Sequence, residues 1–493
     1  MSGEIKIELE NNSKSNVDLD TDSSKGPKSK SKSKSKSHKS PSASAIRRFT
    51  QKRAAKTVGK FMKKTGSKRK TEFLKAICSD SGVCIAFGKE RKKIFDFFNG
   101  FTKFDYLSGI KAIGAVSANG FVKELEYERN GYKAHAILKS SRDKNSDNLM
   151  YECYVGKTLT GIARQIPCFV ETYGLYEYKT DASREKFQKE KSGLVDLKNM
   201  LTFHKTYNYG NSCENSVNQC ILIQHIKGAA SIGDKIYRGK PDQDFVINDF
   251  IYAIYQIYFA LGGMATIFTH YDLHPDNVIL YKPVDGKYIE FHYHLRTGTV
   301  SFKSQYIAKM IDYGRSFIKH DNNSSAAYYA KVCAEDKCKE EEDSDEDEDE
   351  DDEEKEKCGD QSGYGWMEPP LKKQSYYISS SMNNRSHDLR LLHSLWTMMP
   401  WHDEPFKSSI RIRNILKNIL GRVKYEGDYG TPPVVGKQGS DGKIEDVIDA
   451  EFFIKSAIVT DDQKKANDDY YSGMGKLGDL HVYMDKESEF IPA

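Results

Sequence analysis

The 493-residue sequence predicts an α+β chain, with an antiparallel-sheet region ahead of a larger, mainly helical one. Three observations predict it. Residues 110 to 140, "GIKAIGAVSANGFVKELEYERNGYKAHAILKS", place apolar residues in alternation, and Asn130-Gly131 marks a hairpin turn. The next segment, "DNLMYECYVGKTLTGIA", changes to near-helical spacing at Leu149, Tyr151, Tyr154, Val155 and Leu159. Further on, a long helix is expected from about Asp244 to Phe268, with more helical patterns at 386–398 and 407–421. "CILIQHIKG" between these regions reads as a buried strand ending at a glycine. Strand-like runs at 278–282, 288–295, 298–303 and 306–311 are separated by turn signals at Asp285-Gly286 and Thr297-Gly298. No internal repeat is present.

Composition limits how much of the chain packs. Hydrophobic residues make up 38% and charged residues 30%, so part of the length is solvated. The net charge of +4 is a near-cancellation between a basic N-terminal stretch and an acidic internal run. Residues 1–70 read as a disordered basic tail. "SKGPKSKSKSKSKSHKSP" has no apolar anchor, whereas "AIRRFTQKRAAKTVGKFMKKTGSKRK" has apolar residues among its charges and can turn helical against an anionic surface. Nucleic acid or an anionic membrane are the partners such a tail suits. Nuclear targeting and plain solubilisation are the other readings, and phosphorylation of the serines would switch the local field. Ordered structure is expected from near Thr71, with "FLKAICSDSGVCIAF" and "KIFDFF". Residues 334–362 include a polyanion that cannot pack, and are expected to loop out as a disordered acidic insertion.

The nine cysteines form no C-x-x-C pair, and the acidic, polar N-terminus lacks a secretory pattern, so a reduced intracellular compartment is expected. Cys78 with Cys84, or Cys333 with Cys338, have the wrong spacing for metal, and buried or idle thiols are the expectation. Phe250 to Thr269 has about the length of a bilayer span. Asn248, Asp249 and Gln256 interrupt or precede it, and no Lys/Arg cluster flanks it, so it is read as a buried core helix and no transmembrane segment is expected.

The sharpest chemical signal is His270-Tyr-Asp272-Leu-His274-Pro-Asp276-Asn277, followed by apolar Val278, Ile279 and Leu280. Lys309-Met-Ile311-Asp312-Tyr313-Gly314 later closes a second apolar run. Phosphoryl transfer needs a carboxylate to orient the incoming hydroxyl and oxygen ligands for the cation that neutralises nucleotide phosphates. An Asp and an Asn on one tight loop, with a second Asp at a strand end before a flexible Gly, supply that set.

Here the sequence resembles the protein-kinase superfamily. His270, Asp272 and Asn277 match its H-R-D-x-x-x-x-N catalytic loop, and Asp312-Tyr313-Gly314 its D-F-G. The resemblance covers roughly residues 71–490 and implies a bilobal fold. Residues 71–226 would form a small antiparallel-sheet lobe with an N-terminal extension, and 227–493 a mainly helical lobe. It implies ATP with Mg²⁺ or Mn²⁺, Asp272 as base, Asn277 and Asp312 as metal ligands, and His270 as support for the loop. Ala136-Ile137-Leu138-Lys139 looks like the strand whose lysine holds the α/β-phosphates, with Glu152 as its ion-pair partner. Gly114, Ser117, Gly120 and Val122 lie where the phosphate-covering loop belongs. The middle glycine of G-x-G-x-x-G is missing there, and a simple hairpin turn is the alternative. Backbone groups of Gln224 and Ile226 stand where adenine would be met. Ser386-His-Asp388-Leu-Arg390 resembles the helix whose buried Asp supports the catalytic loop, which makes Asp388 structural.

Departures from the pattern refine the reading. Ser/Thr kinases usually have Lys two residues past the catalytic Asp, where this chain has His274. His274 either donates a hydrogen bond in its place or only shapes the loop. "DLHP-x-N" is shared with aminoglycoside phosphotransferases. "IDYGRS" and the long hairpin between Asn277 and Asp312 look most like the serine/threonine protein kinases of large nucleocytoplasmic DNA viruses, which implies host cytoplasm or virion. Transfer of the γ-phosphoryl group to protein hydroxyls is the expected activity, with protein substrates as partners. A small-molecule kinase and a pseudokinase scaffold with a nucleic-acid-binding tail are the alternatives. Ser344, flanked by acidic residues, suits an acid-directed kinase, and the polyanion could bind the chain's own basic tail. His292 and His294 alternate on one strand face as metal-ligand types. No third ligand is evident, and an ordinary hairpin is expected.

Overall fold

The computed structural model describes residues 88–117, 120–141, 149–162, 165–204, 216–320, 323–325, 382–425, 442–483 and 488–492. The basic tail, the start of order near Thr71, the acidic insertion, Cys78, Cys84, Cys333, Cys338 and Ser344 lie outside the described residues.

Helix α1 (Gly88–Phe97) precedes a meander of β1 (Leu107–Ser117), β2 (Gly120–Arg129) and β3 (Tyr132–Ser141). Asn130 and Gly131 turn β2 into β3 with φ of 53° and 80°, the left-handed pair that matches the twist of a hairpin. Helix α2 (Leu149–Ile162) follows, then β4 (Thr172–Tyr178), α3 (Asp181–Lys189), β5 (Ser192–Gly193), α4 (Leu197–Met200), β6 (Leu201–Phe203) and β7 (Gln219–Gln224). The strands form one seven-stranded sheet, β5-β1-β2-β3-β7-β4-β6, antiparallel at every pairing. Leu149, Met150 and Cys153 of α2 pack on Leu175 and Ile221 of the sheet. Gly156 lets helix and sheet approach closely, because a Cβ there would lie 2.0 Å from Thr172 Oγ1.

The chain continues through β8 (Ala230–Ser231), α5 (Ile232–Ile236), α6 (Gln243–Asn248) and α7 (Phe250–Gly263). Then come β9 (Phe268–Thr269), β10 (Val278–Tyr281), β11 (Lys287–Leu295), β12 (Gly298–Ser304), β13 (Ile307–Met310), β14 (Phe317–His320) and β15 (Asn323–Ser324). Helices α8 (Arg390–Met398), α9 (Ile410–Leu420), α10 (Val447–Ile458) and α11 (Asp461–Tyr471) lead to β16 (Gly475–Tyr483) and β17 (Glu489–Pro492). Helix α7 is the axis of the core, buried at every residue from Phe250 to Leu261. Its one polar interruption, Gln256, donates to the Tyr306 carbonyl at 3.0 Å and accepts from the Ala308 N–H at 3.0 Å. A buried amide is tolerated because both ends are paired. No helix among the described residues is long and apolar enough to cross a membrane.

Two features depart from the sequence expectation. The helix expected from Asp244 to Phe268 is two helices broken at Asp249, and it ends at Gly263. Asp249 is diverted to tertiary work: its Oδ1 accepts from Ser304 Oγ at 2.5 Å, Gln305 N at 3.0 Å and Tyr471 OH at 2.6 Å. The second half also carries more sheet than expected. β12-β11-β16-β17 is a four-stranded sheet in which β11 and β16 run parallel, packing Phe291, Tyr293, Phe302, Leu480 and Val482 into the core.

Burial pushes the Asp249 carboxyl up to about 6, against the pull of its three donors. The folded chain then binds more protons than the unfolded chain between the ordinary 3.8 and about 6, so stability falls as pH rises through that window. Asp249→Asn, which cannot titrate, is expected to flatten that fall. A melting-temperature profile over this range as steep as that of the wild type would contradict it.

Candidate active site

Three local geometries bring the sequence-selected residues together. The first is a hairpin register. β10 pairs antiparallel with β13, Val278 opposite Met310, so Asn277 and Asp312 emerge at the same end. The Ile311 N–H adds one more rung by donating to the Asn277 carbonyl at 3.1 Å. The long excursion between the two motifs therefore costs nothing in proximity.

The second is the sheet face. Lys139 on β3 lies opposite Val122 on β2 and Ile221 on β7, so Lys139 and Val122 share a face. Lys139 Nζ lies 2.7 Å from Glu152 Oε2 of α2 and 3.1 Å from Asp312 Oδ1. One ammonium thus joins the sheet, the helix and the D-Y-G segment, with Glu152 buried at 3% exposure. The Lys139 charge holds the Asp312 carboxyl below its usual range, against burial and the like charge of Asp272.

The third is the loop 270–277. Its backbone is pinned by Asp388, whose carboxylate accepts from His270 N at 2.8 Å and Tyr271 N at 3.1 Å. Burial pushes the Asp388 carboxyl up to about 7 despite those two donors. His270 Nε2 donates to the Ile311 carbonyl at 2.9 Å, tying the loop to the Asp312 segment, and burial lowers the pKa of the ring. Asn277 Nδ2 donates to the Asp272 carbonyl at 2.8 Å, which turns its amide oxygen away as an acceptor. Tyr271 and Asp312 adopt φ of 62° and 67°, left-handed conformations that cost non-glycine residues energy and cluster at functional turns.

Asp272 is held by two arginines that the motif reading did not single out. Arg390 Nη1 donates to Oδ1 at 2.9 Å, and Arg315 Nη1 stands 3.8 Å from Oδ2. Burial alone would raise this carboxyl, but the charges of Arg315 and then Arg390 outweigh it and hold it at about 2. Asp388 and Arg390 therefore grip the loop from one short segment, one on its amides and the other on its carboxylate. The i, i+2 spacing was visible in "SHDLR", but the contact needed the fold. Tyr313 is a further addition: its hydroxyl accepts from Val170 N at 2.8 Å and donates to the Met310 carbonyl at 2.8 Å, anchoring the D-Y-G turn.

The remaining predicted residues sit as follows. Gly114 and Ser117 fall in β1 and Gly120 opens β2 with φ of 145°, so this segment is a hairpin flanking residues 118–119, which are outside the described set. Ser117 pairs with Gly120 across it. Gln224 ends β7 and gives its N–H to the Glu171 carbonyl at 2.7 Å, while the Ile226 carbonyl accepts from Ala229 N at 3.1 Å. His274 Nδ1 accepts from Asp276 N at 3.3 Å.

Two other groups of metal-ligand type occur among the described residues: Glu124 with Glu126 and His135, and Glu290 with His292 and Asp479. In the second, Glu290 sits two residues from His292 on the same strand, and Asp479 is the neighbour that comes from a strand far along the chain. In both groups a lysine already holds the cation position. Lys227 Nζ lies 3.0 Å from Glu124, and Lys476 Nζ lies 2.6 Å from Glu290 and 2.7 Å from Asp479. His294 instead meets His481, Nε2 to Nδ1, at 3.0 Å.

No family model and no curated protein matches the chain. Among solved structures, the chain is similar to a Plasmodium kinase domain, with 17% identity and a TM-score of 0.23. That match covers 45% of this chain and 55% of the other, so it spans about half the length of the Plasmodium domain.

Proposed function

We propose that the chain is an ATP-dependent phosphotransferase of the protein-kinase type, passing the γ-phosphoryl group to a serine or threonine hydroxyl of a protein. The supporting observation is the single ammonium of Lys139 held between Glu152 at 2.7 Å and Asp312 at 3.1 Å, beside the loop that carries Asp272 and Asn277. In this reading residues 71–226 and 227–493 are the two lobes, and Gly114, Ser117, Gly120, Val122, Gln224 and Ile226 line the nucleotide. The motif resemblance to kinases of large DNA viruses belongs to the same proposal, with an intracellular site of action.

The donor set fits a divalent cation, since Asp312 offers carboxylate oxygen and Asn277 an amide oxygen whose own nitrogen is engaged elsewhere. Bound there, Mg²⁺ would neutralise nucleotide phosphate charge. The chain's own part is positioning and charge. Lys139, fixed by Glu152, meets phosphate as a point charge, and Asp272 orients the acceptor hydroxyl and takes its proton. Arg390 donates to one oxygen of Asp272, Oδ1, and Oδ2 would be the more available one for the acceptor.

Incubating the full chain with γ-labelled ATP, Mg²⁺, protein acceptors and small hydroxyl compounds tests this. Label in protein supports the reading, and label only in small molecules favours the small-molecule alternative. Absence of both transfer and ATP turnover, with salt-dependent nucleic-acid binding through residues 1–70, would leave the scaffold alternative standing.

A further inference from the structure

The loop that carries Asp272 brings no cation to the transferred phosphoryl group. His274 occupies the position beside Asp272 where a charge would be useful, but its Nδ1 lone pair accepts from Asp276 N at 3.3 Å. An imidazole used this way is not the permanent cation that a guanidinium is. Phosphoryl transfer spreads negative charge over the equatorial oxygens of the moving group, and catalysis depends on cations placed there beforehand.

Arg315 is placed to supply that charge from the other loop. It directly follows Asp312-Tyr313-Gly314, and its backbone course is fixed by its neighbour: Ser316 Oγ donates to the His270 carbonyl at 3.1 Å and Ser316 N to the Tyr313 carbonyl at 3.1 Å. Its Nη1 lies 3.8 Å from Asp272 Oδ2, too far for a hydrogen bond but close enough for strong attraction. The other oxygen, Oδ1, is already hydrogen-bonded to Arg390 at 2.9 Å. Oδ2 keeps more acceptor capacity for a hydroxyl that Asp272 receives, and it is the oxygen Arg315 flanks. Both side chains are mostly sheltered, at 17% exposure each, where charge interactions are weakly screened.

We propose that Arg315 is a further catalytic residue, its guanidinium contacting the γ-phosphoryl oxygens of a nucleoside triphosphate. This rests on the phosphotransferase reading. In the step, the acceptor oxygen forms a bond to the γ-phosphorus as the β,γ-bridging P–O bond breaks. The electron pair leaves on the nucleoside diphosphate, and the hydroxyl proton passes to Asp272. Arg315 stays protonated throughout and exchanges neither protons nor electrons. Its planar fork matches phosphate oxygens in a way a lysine does not.

The test compares full-length wild type, Arg315→Gln and Arg315→Lys. Affinities for a non-hydrolysable ATP analogue and for ADP are measured with Mg²⁺ by calorimetry, alongside kcat and KM for transfer and a melting curve. The wild type is expected to prefer the triphosphate. Arg315→Gln should lose about tenfold of that preference and about 100-fold in kcat, with the acceptor KM little changed. Arg315→Lys should recover part of both. A glutamine variant that folds and keeps the wild-type triphosphate preference overturns the proposal, even if kcat falls, because Arg315 then only holds Asp272. If Arg315→Gln does not fold, Arg315→Lys carries the test, and an undiminished preference overturns the proposal. A wild type that binds neither nucleotide defeats the phosphotransferase reading itself, and this inference with it.

Discussion

Asp312→Asn is expected to lower phosphoryl transfer at least about 1000-fold and to weaken Mg²⁺-dependent nucleotide binding, while the fold survives. Asparagine is the informative replacement because position 312 has φ of 67°, a conformation asparagine tolerates and alanine does not. Removing the carboxylate also takes one acidic partner from Lys139, while Glu152 at 2.7 Å still holds it. The companion change, Asp272→Asn, should cost a similar factor in kcat but leave nucleotide affinity nearly intact, since Asp272 would meet the acceptor rather than the nucleotide. Labelled-ATP transfer and nucleotide titration separate the two. Equal loss of binding in both variants would contradict the division of roles, and full activity in either would remove that residue from the mechanism.

Asp388→Ala is expected to be the most damaging change away from the proposed nucleotide site. Both carboxylate oxygens are used by backbone N–H groups of His270 and Tyr271, in a site of 2% exposure. An alanine leaves two buried donors unpaired, at about 1–3 kcal/mol each, so a loss of about 2–5 kcal/mol in unfolding free energy follows. The loop would also lose the clamp that holds Tyr271 at φ of 62°, so transfer should fall even at temperatures where the variant is folded. Asp388→Asn keeps one acceptor oxygen and should lie between wild type and alanine in both measures. Denaturant midpoints for the three proteins decide it, and an alanine variant within 1 kcal/mol of wild type would count against the clamp.

Much of the site was legible because its residues come as short motifs bounded by apolar runs. His270, Asp272 and Asn277 fall on one loop, and Asp312 follows a strand whose pattern, Ile307 to Met310, is buried throughout. The pairing of Lys139 with Glu152 was expected only through the kinase resemblance, which calls for a strand lysine held by a helix glutamate. Arg315 and Arg390 were not legible as partners of Asp272, because a guanidinium on a long side chain can serve any nearby carboxylate and only the fold decides which. The break at Asp249 was hidden for a related reason. Apolar periodicity continues across it, and the residue is drawn off by Ser304, Gln305 and Tyr471, which lie far along the chain. β16 was missed because its alternation is short and interrupted by two glycines, Gly475 and Gly478, whereas its parallel partner β11 was plain from sequence.

The parallel pairing of β11 with β16 closes a very long loop, since His292 lies opposite His481. Such a long-range pairing pays loop-closure entropy before its contacts reward it, so it is intrinsically slow to form. Until then β11 is an open edge flanked only by β12, with His292, His294 and Glu290 as the polar guards on its outer side. Strand β16 is thus a lock on a sheet inserted between the two halves of the proposed catalytic centre, and a protein shortened before Gly475 would leave the β11 edge unpaired.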